Sequence, residues 1–200
     1  ATNIRASLQT KRSDEAEINR IIAERQLTQR DNLMAFLSKN PLDLDTASLM
    51  RITELCNAHR EKNAAFYTNK FIVNEIMGEL PIFSKNEIRI LEPSVGAGSF
   101  VPFLFKLYEN VPHVILDVVD VHQGSLEAFD LLLDKIGIAH NFTINRICHD
   151  FLTWEPVYRY DLVVGNPPFS KLKKKTSDII EAIKYNKNRV TNNLAALFLE

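Results

Sequence analysis

The sequence predicts an α/β chain in which a parallel, doubly wound sheet, covered on both faces, follows an N-terminal helical extension. Two observations carry this. From residue 87 onward the short apolar or β-branched runs IRILEP, VILDVVDV, FTINRI and DLVVGN appear, with the helical patterns SFVPFLFKLYEN and GSLEAFDLLLDKIG separating the first three. Residues 1 to 64 carry no such runs and show helical spacing instead. The expected division is therefore a helical region over 1–64 and a sheet domain over 65–200.

In the helical region, SDEAEINRIIAERQ opens on Ser13 and Asp14 as candidate caps, and RDNLMAFLSKN stops at Pro41. DTASLMRITELCNAHREKN then spaces Leu49, Ile52, Leu55 and Cys56 along one face. The mixed-sign KRSDEAE stretch reads as a solvated face.

Length and composition narrow the function classes. A chain of 200 residues, 46% of them hydrophobic, can bury a real core as one domain with an extension. A net charge of −1 gives no global attraction to nucleic acid, so any basic surface must be local. Cys56 and Cys148 stand far apart with no CxxC or histidine-rich neighbour, which argues against a metal site or a disulfide and fits a reducing cytoplasm. The expectation includes no membrane partner, because no apolar stretch is long enough to cross a bilayer.

In a parallel sheet, ligands gather beyond the carboxyl ends of the strands, and there the chemistry-bearing residues fall. The first strand runs into LEPSVGAGSF, where Gly96 and Gly98 allow a sharp turn and close approach of a ligand. A merely tight turn is the alternative. The loop lacks the third glycine of a dinucleotide fingerprint and the Lys-Ser/Thr of a P-loop, and Glu92 suits a cation better than a pyrophosphate. Asp120 ends the second strand, 22 residues after Gly98, where it could accept ribose hydroxyls or cap the next helix. After the third strand, Asp150 and Phe151 could hold an exocyclic amine and a flat ring, or could be a turn aspartate and a core aromatic.

The fourth strand ends in DLVVGNPPFSKLKKK. Asn166 offers an amide oxygen, Pro167 a carbonyl with no N–H of its own, and Pro168 keeps the backbone extended, with Phe169 as an adjoining aromatic face. This corner suits a planar amino group on a stacked ring. Lys171, Lys173, Lys174 and Lys175 follow, either as a solvated loop or as phosphate contacts.

Asn-Pro-Pro-Phe after an apolar strand resembles the catalytic motif of S-adenosylmethionine-dependent adenine-N6 DNA methyltransferases of the gamma arrangement. LEPSVGAGSF resembles their cofactor loop, VVDVHQGSLEAF their second-strand acidic motif and HDFL their third-strand Asp-Phe. AAFYTNKFIVNEIM is similar to the Phe-Tyr-Thr segment that precedes the loop, and NNLAALFLE to the helix after the catalytic strand. The resemblance spans residues 65 to 200 and implies a Rossmann-like methyltransferase sheet of which the first four strands are present. It departs in Asn69, where proline is usual, in Asp120, where glutamate is commoner, and in His122, where an acid is usual.

The resemblance also implies roles. S-adenosyl-L-methionine would lie against Phe66, Tyr67 and Thr68, the Glu92, Pro93, Gly96 and Gly98 loop, Asp120 and Val121, and Asp150 and Phe151, with Asn166 beside it. Asn166, Pro167, Pro168 and Phe169 would receive an adenine flipped out of double-stranded DNA, in a modification enzyme of restriction–modification type. Family members carry further strands and a target-recognition region, so the chain reads as truncated at its C-terminus and inactive alone. Its last strand would then be an edge open to self-association. Alternatives on the same fold are a glutamine or ribosomal-RNA guanine methyltransferase, and, in another class, a binding module without turnover. A nicotinamide oxidoreductase would share the first two motifs and have no use for Asn-Pro-Pro-Phe.

Overall fold

The computed structural model describes residues 15–60, 70–151 and 153–166. Helical residues 15–24 (α1) lead into α2 (Arg30–Lys39), α3 (Thr46–Arg60) and α4 (Lys70–Glu79). The α/β part follows as β1 (Glu87–Pro93), α5 (Val101–Leu107), β2 (His113–Asp120), α6 (Gln123–Ile136), β3 (Phe142–Cys148) and β4 (Leu162–Val163). The strands lie in the order β3-β2-β1-β4, and every pair is parallel. The first crossovers are the helices the sequence spacing anticipates, since parallel neighbours require a long return path.

Local chemistry sets the helix ends. At the end of α2, Asn40 takes a left-handed conformation (φ 42°), and its amide exchanges hydrogen bonds with the Leu44 backbone at 2.8 and 2.9 Å. Asparagine tolerates this conformation, and Pro41 directly after it cannot continue the helix.

Alternation along the strands separates the two faces of the sheet. Ile88 and Ile90 of β1, Val114, Leu116 and Val118 of β2, and Phe142 and Ile144 of β3 point to one side and pack against α4, α5 and α6. Helix α6 is apolar on two flanks. Leu126, Phe129 and Leu133 face the sheet, whereas Ala128 and Leu132 face Leu33, Leu37, Leu49, Ile52 and Cys56 of the N-terminal helices. The N-terminal helices thus form a third layer over α6. Each fully buried leucine, isoleucine, valine or phenylalanine among them contributes roughly 1.5–3 kcal/mol relative to exposure.

The opposite face of the sheet is polar at its centre. Asp117, 3% exposed, accepts from Asn145 at 2.6 Å and from the Tyr160 hydroxyl at 2.7 Å, and pairs with Arg89 at 3.5 Å. Arg89 lies 4.0 Å from the ring of Tyr158, so the β3–β4 connection covers this face through its two tyrosines. Helical cover was expected on both faces; among the described residues the helices lie on one. The buried Asp117 carboxylate draws its donors from β1, from β3 and from the β3–β4 connection, so polar cover on this side lets Tyr160 complete the set.

Candidate functional site

Parallel strands end on one edge of a sheet, and that edge holds the described part of the expected site. At the end of β1, Glu92 is 2% exposed and its Oε2 has no hydrogen-bond partner. Burial alone drives its carboxyl well above the usual range. Two residues on, Ser94 adopts φ 58° and its Oγ is likewise buried without a partner. Two orphaned oxygens within three residues of chain are acceptors that a donor-bearing ligand could satisfy.

The loop that follows turns on backbone geometry. Gly96 has φ 55° with open space where a side chain would stand, and Gly98 has φ 74° with the Phe129 ring 2.5 Å from where a Cβ would lie. Hydrogen bonds from Val95 N to Val119 O (2.9 Å), from Gly98 N to Val95 O (2.8 Å) and from Val101 N to Gly98 O (3.0 Å) close it. Gly98 is needed for packing against α6, and Gly96 leaves the loop's outer side accessible.

Asp120 at the end of β2 is 8% exposed. Its Oδ2 accepts the Gly96 amide at 3.1 Å and its Oδ1 the His122 amide at 2.9 Å. Burial raises its pKa, opposed by those hydrogen bonds and by Ser125 and His122. The cap residue of α6 is His122, so Asp120 does not cap this helix. Val121 beside it is 55% exposed, an apolar surface next to the carboxylate.

The end of β3 is tied to this point by the hydrogen bond from His149 N to Asp120 O at 3.0 Å. Asp150 is exposed, and its carbonyl accepts the Thr153 amide at 3.1 Å, closing a turn. Phe151 is half-buried with its ring 6.3 Å from Trp154. At β4, Asp161 N donates to Arg89 O (2.8 Å) and Val164 N to Leu91 O (2.9 Å). A Cβ on Gly165 would lie 2.9 Å from Pro93 O, so the chain passes the end of β1 in close contact and sets down half-buried Asn166 beside it.

The structure therefore brings together Glu92, Pro93, Gly96, Gly98, Asp120 and Val121, with Asp150, Phe151 and Asn166 on the flanking strand ends. Phe66, Tyr67, Thr68, Pro167, Pro168, Phe169, Lys171, Lys173, Lys174 and Lys175 lie outside the described residues, as do Ser13 and Asp14. Among the described residues, no group of three or more His, Cys, Asp or Glu side chains is placed to hold a metal ion. No described helix is long and apolar enough to cross a membrane.

Sequence reasoning passed over two residues here. Ser94 hides between a proline and a valine, and only its left-handed backbone exposes its role in the turn. Glu54 of α3 is hydrogen-bonded to the Ser99 hydroxyl of the loop. The available signal was an acid within a helix whose neighbours Ile52, Thr53 and Cys56 are all fully buried.

No protein-family profile matches the chain. Over 115 residues, 58% of its length, the chain is 32% identical to the type II methyltransferase M.CvrRI of Paramecium bursaria Chlorella virus XZ-6E, and the match spans 27% of that protein. Among solved structures it resembles a class I S-adenosylmethionine-dependent methyltransferase of Listeria monocytogenes, with a TM-score of 0.53, 16% identity, and coverage of 79% of this chain and 50% of that one. It also resembles the methyltransferase subunit of a type I restriction-modification system of Streptococcus thermophilus (TM-score 0.51, 16% identity, 78% of this chain and 37% of that one). A third is the type IIG restriction endonuclease BpuSI (TM-score 0.51, 20% identity, 77% and 20%). At these identities the likeness is one of fold. The four-stranded parallel sheet matches in fold the Rossmann-like sheet of the Listeria structure.

Proposed function

We propose that this chain carries the cofactor-binding and catalytic strand ends of an S-adenosylmethionine-dependent adenine-N6 DNA methyltransferase of restriction-modification type. The observation that carries the reading is the setting of Asn166 beside the Glu92–Gly98 loop through the β1–β4 pairing. The likeness to a type II methyltransferase supports it.

The residues present fit the cofactor. The unpartnered Glu92 Oε2 and Ser94 Oγ can accept from a cationic amino acid moiety, Asp120 keeps lone pairs for ribose hydroxyls, and exposed Val121 can lie against an adenine face. Asp150 and Phe151 would meet that adenine's amine and ring, with Phe66, Tyr67 and Thr68 at the methionine end. Bound there, S-adenosylmethionine supplies a sulfonium methyl, an electrophile whose leaving group needs no acid.

The chain's own part is to make an amino nitrogen nucleophilic. The N6 lone pair of adenine is delocalised into its ring. Asn166 Oδ1 and the Pro167 carbonyl, both accepting from the amino group, favour a pyramidal nitrogen and stabilise the positive charge that grows on it. Fixed dipoles of this kind need no reorganisation as the charge forms. Phe169 would stack on the flipped base, offsetting the few kcal/mol of unstacking. Lys171, Lys173, Lys174 and Lys175 would contact phosphates of the duplex.

The test is methyl transfer from labelled cofactor by the full-length protein to adenine-containing duplex DNA, to release factor and to ribosomal RNA. Label is expected in DNA, on N6 of adenine. Asn166→Ala should lower the rate by roughly 10²-fold while the cofactor still binds. Label in protein or RNA instead of DNA would overturn the substrate assignment.

A further inference from the structure

The N-terminal layer meets the glycine loop at Ser99. Glu54 Oε1, on α3, is hydrogen-bonded to the Ser99 hydroxyl, while Oε2 is buried with no hydrogen-bond partner. Burial pushes this carboxyl up to about 7, against the opposing influence of Ser99 and of Arg51 one turn earlier. Arg51 in turn reaches Glu15 of α1 at 3.0 Å. Around this polar contact the seam is apolar. Ala97 of the loop, 2% exposed, packs in the cluster of Leu49, Ile52 and Cys56.

The loop is thus held from two sides. Asp120 of β2 grips it through the Gly96 amide and Glu54 of α3 through the Ser99 hydroxyl. Between the two grips, Gly96 and Gly98 adopt left-handed conformations, and Ser94 does so just before them. An unbound loop of this kind would sample many shapes, and ordering it on binding would cost affinity. The apolar packing of Ala97 is non-directional, whereas a hydroxyl–carboxyl pair fixes where α5 begins.

We propose that Glu54 is a positioning residue for the cofactor loop: by holding Ser99 it lets the N-terminal helices set the conformation of residues 94–99, and through it their affinity for ligand. The inference rests on the reading of this loop as the S-adenosylmethionine site. It gives the N-terminal layer a task in the reaction without contact to the reacting atoms. It also assigns Ser99 to that task rather than to the ligand.

Two measurements on the whole 200-residue chain test it. Amide hydrogen exchange follows Gly98, whose N–H is bonded to Val95 O, and calorimetric titration follows S-adenosylmethionine. The variants are Glu54→Ala, Glu54→Gln, Ser99→Ala, the Glu54→Ala/Ser99→Ala pair, and Asp120→Ala. Glu54→Ala and Ser99→Ala should each speed Gly98 exchange and weaken binding by about tenfold, the worth of one net hydrogen bond. The pair should be no worse than either alone, and Glu54→Gln should restore both readings to within about threefold of wild type, since its amide oxygen still accepts from Ser99. A purely volumetric role for Glu54 would leave Ser99→Ala silent and make the pair additive, and that result would sink the proposal. If Asp120→Ala weakens binding but the Glu54 and Ser99 variants change neither reading, Glu54 has no positioning role and the site itself stands. If wild type takes up no cofactor and Asp120→Ala changes nothing, the site reading falls and this inference with it. Should Glu54→Ala unfold, Ser99→Ala and Glu54→Gln decide the question.

Discussion

The Asp120 carboxylate accepts the Gly96 amide at 3.1 Å, which fastens the end of β2 to the turn after β1. One side chain thereby shapes the loop and, with one backbone amide on each oxygen, keeps acceptor capacity to spare. Its partly desolvated charge costs stability, while its two backbone hydrogen bonds return some of it.

Asp120→Ala should therefore separate binding from stability. The loss of two charge-assisted bonds is offset by relief of a buried charge, so the unfolding free energy should move by no more than about 2 kcal/mol. S-adenosylmethionine affinity should fall at least about tenfold, because ribose acceptors and loop shape go together. Thermal unfolding beside calorimetric titration checks this. A loss of stability with unchanged affinity would remove Asp120 from the site.

Gly98→Ala presses a methyl group into the Phe129 ring at 2.5 Å while forcing a φ of 74° on a residue with a side chain. Overpacking and backbone strain together should cost roughly 2–4 kcal/mol. Pairing it with Phe129→Leu should recover part of the steric share and none of the strain. Denaturant unfolding of the two single variants and the double would show this as a coupling that departs from additivity.

Asp117 gathers Arg89, Asn145 and Tyr160 from around the sheet. Asp117→Ala leaves a partly buried guanidinium and two donors without their acceptor, and should cost about 3–5 kcal/mol. The loss should be felt first in the β3–β4 connection, where Tyr158 stacks on Arg89. Faster amide exchange across residues 155–160, preceding global unfolding, is the expected signature.

Much of this was legible from spacing. The change from helical spacing to β-branched runs near residue 87 marks the real boundary of the sheet, and of the face Leu49, Ile52, Leu55 and Cys56 all but Leu55, which is partly buried against them, are fully buried together. Glu92, Asp120 and Asn166 could be placed because a parallel sheet puts the residues after each strand on one edge. The Asp117 hub was not legible, because a strand aspartate finds its partners only through the register that sets it against Arg89's strand and Asn145's. Glu54 was hidden for a related reason. Its meeting with Ser99 depends on α3 packing over α6, and neither residue shows that in its own neighbourhood.

Glu54, Glu92 and Asp120 all have their carboxyls raised by burial, at or beside one edge of the sheet. A carboxyl that binds its proton more tightly in the folded chain contributes fully below its unfolded pKa and loses that contribution as pH rises through the folded value. For Glu54 the window runs from 4.5 to about 7, which amounts to about 3 kcal/mol. The unliganded chain should therefore melt at a higher temperature at pH 5 than at pH 8. Glu54→Gln should match wild type near pH 4.5, exceed it at pH 8, and show a flatter slope between. Glu92→Gln should do the same and lose cofactor affinity as well, because the unpartnered Oε2 that costs stability is the acceptor a cationic ligand would use. Saturating S-adenosylmethionine should accordingly raise the melting temperature more at pH 8 than at pH 5, since a positive charge beside Glu92 favours its ionised form. A ligand-induced shift independent of pH would show that the cation does not approach this carboxylate.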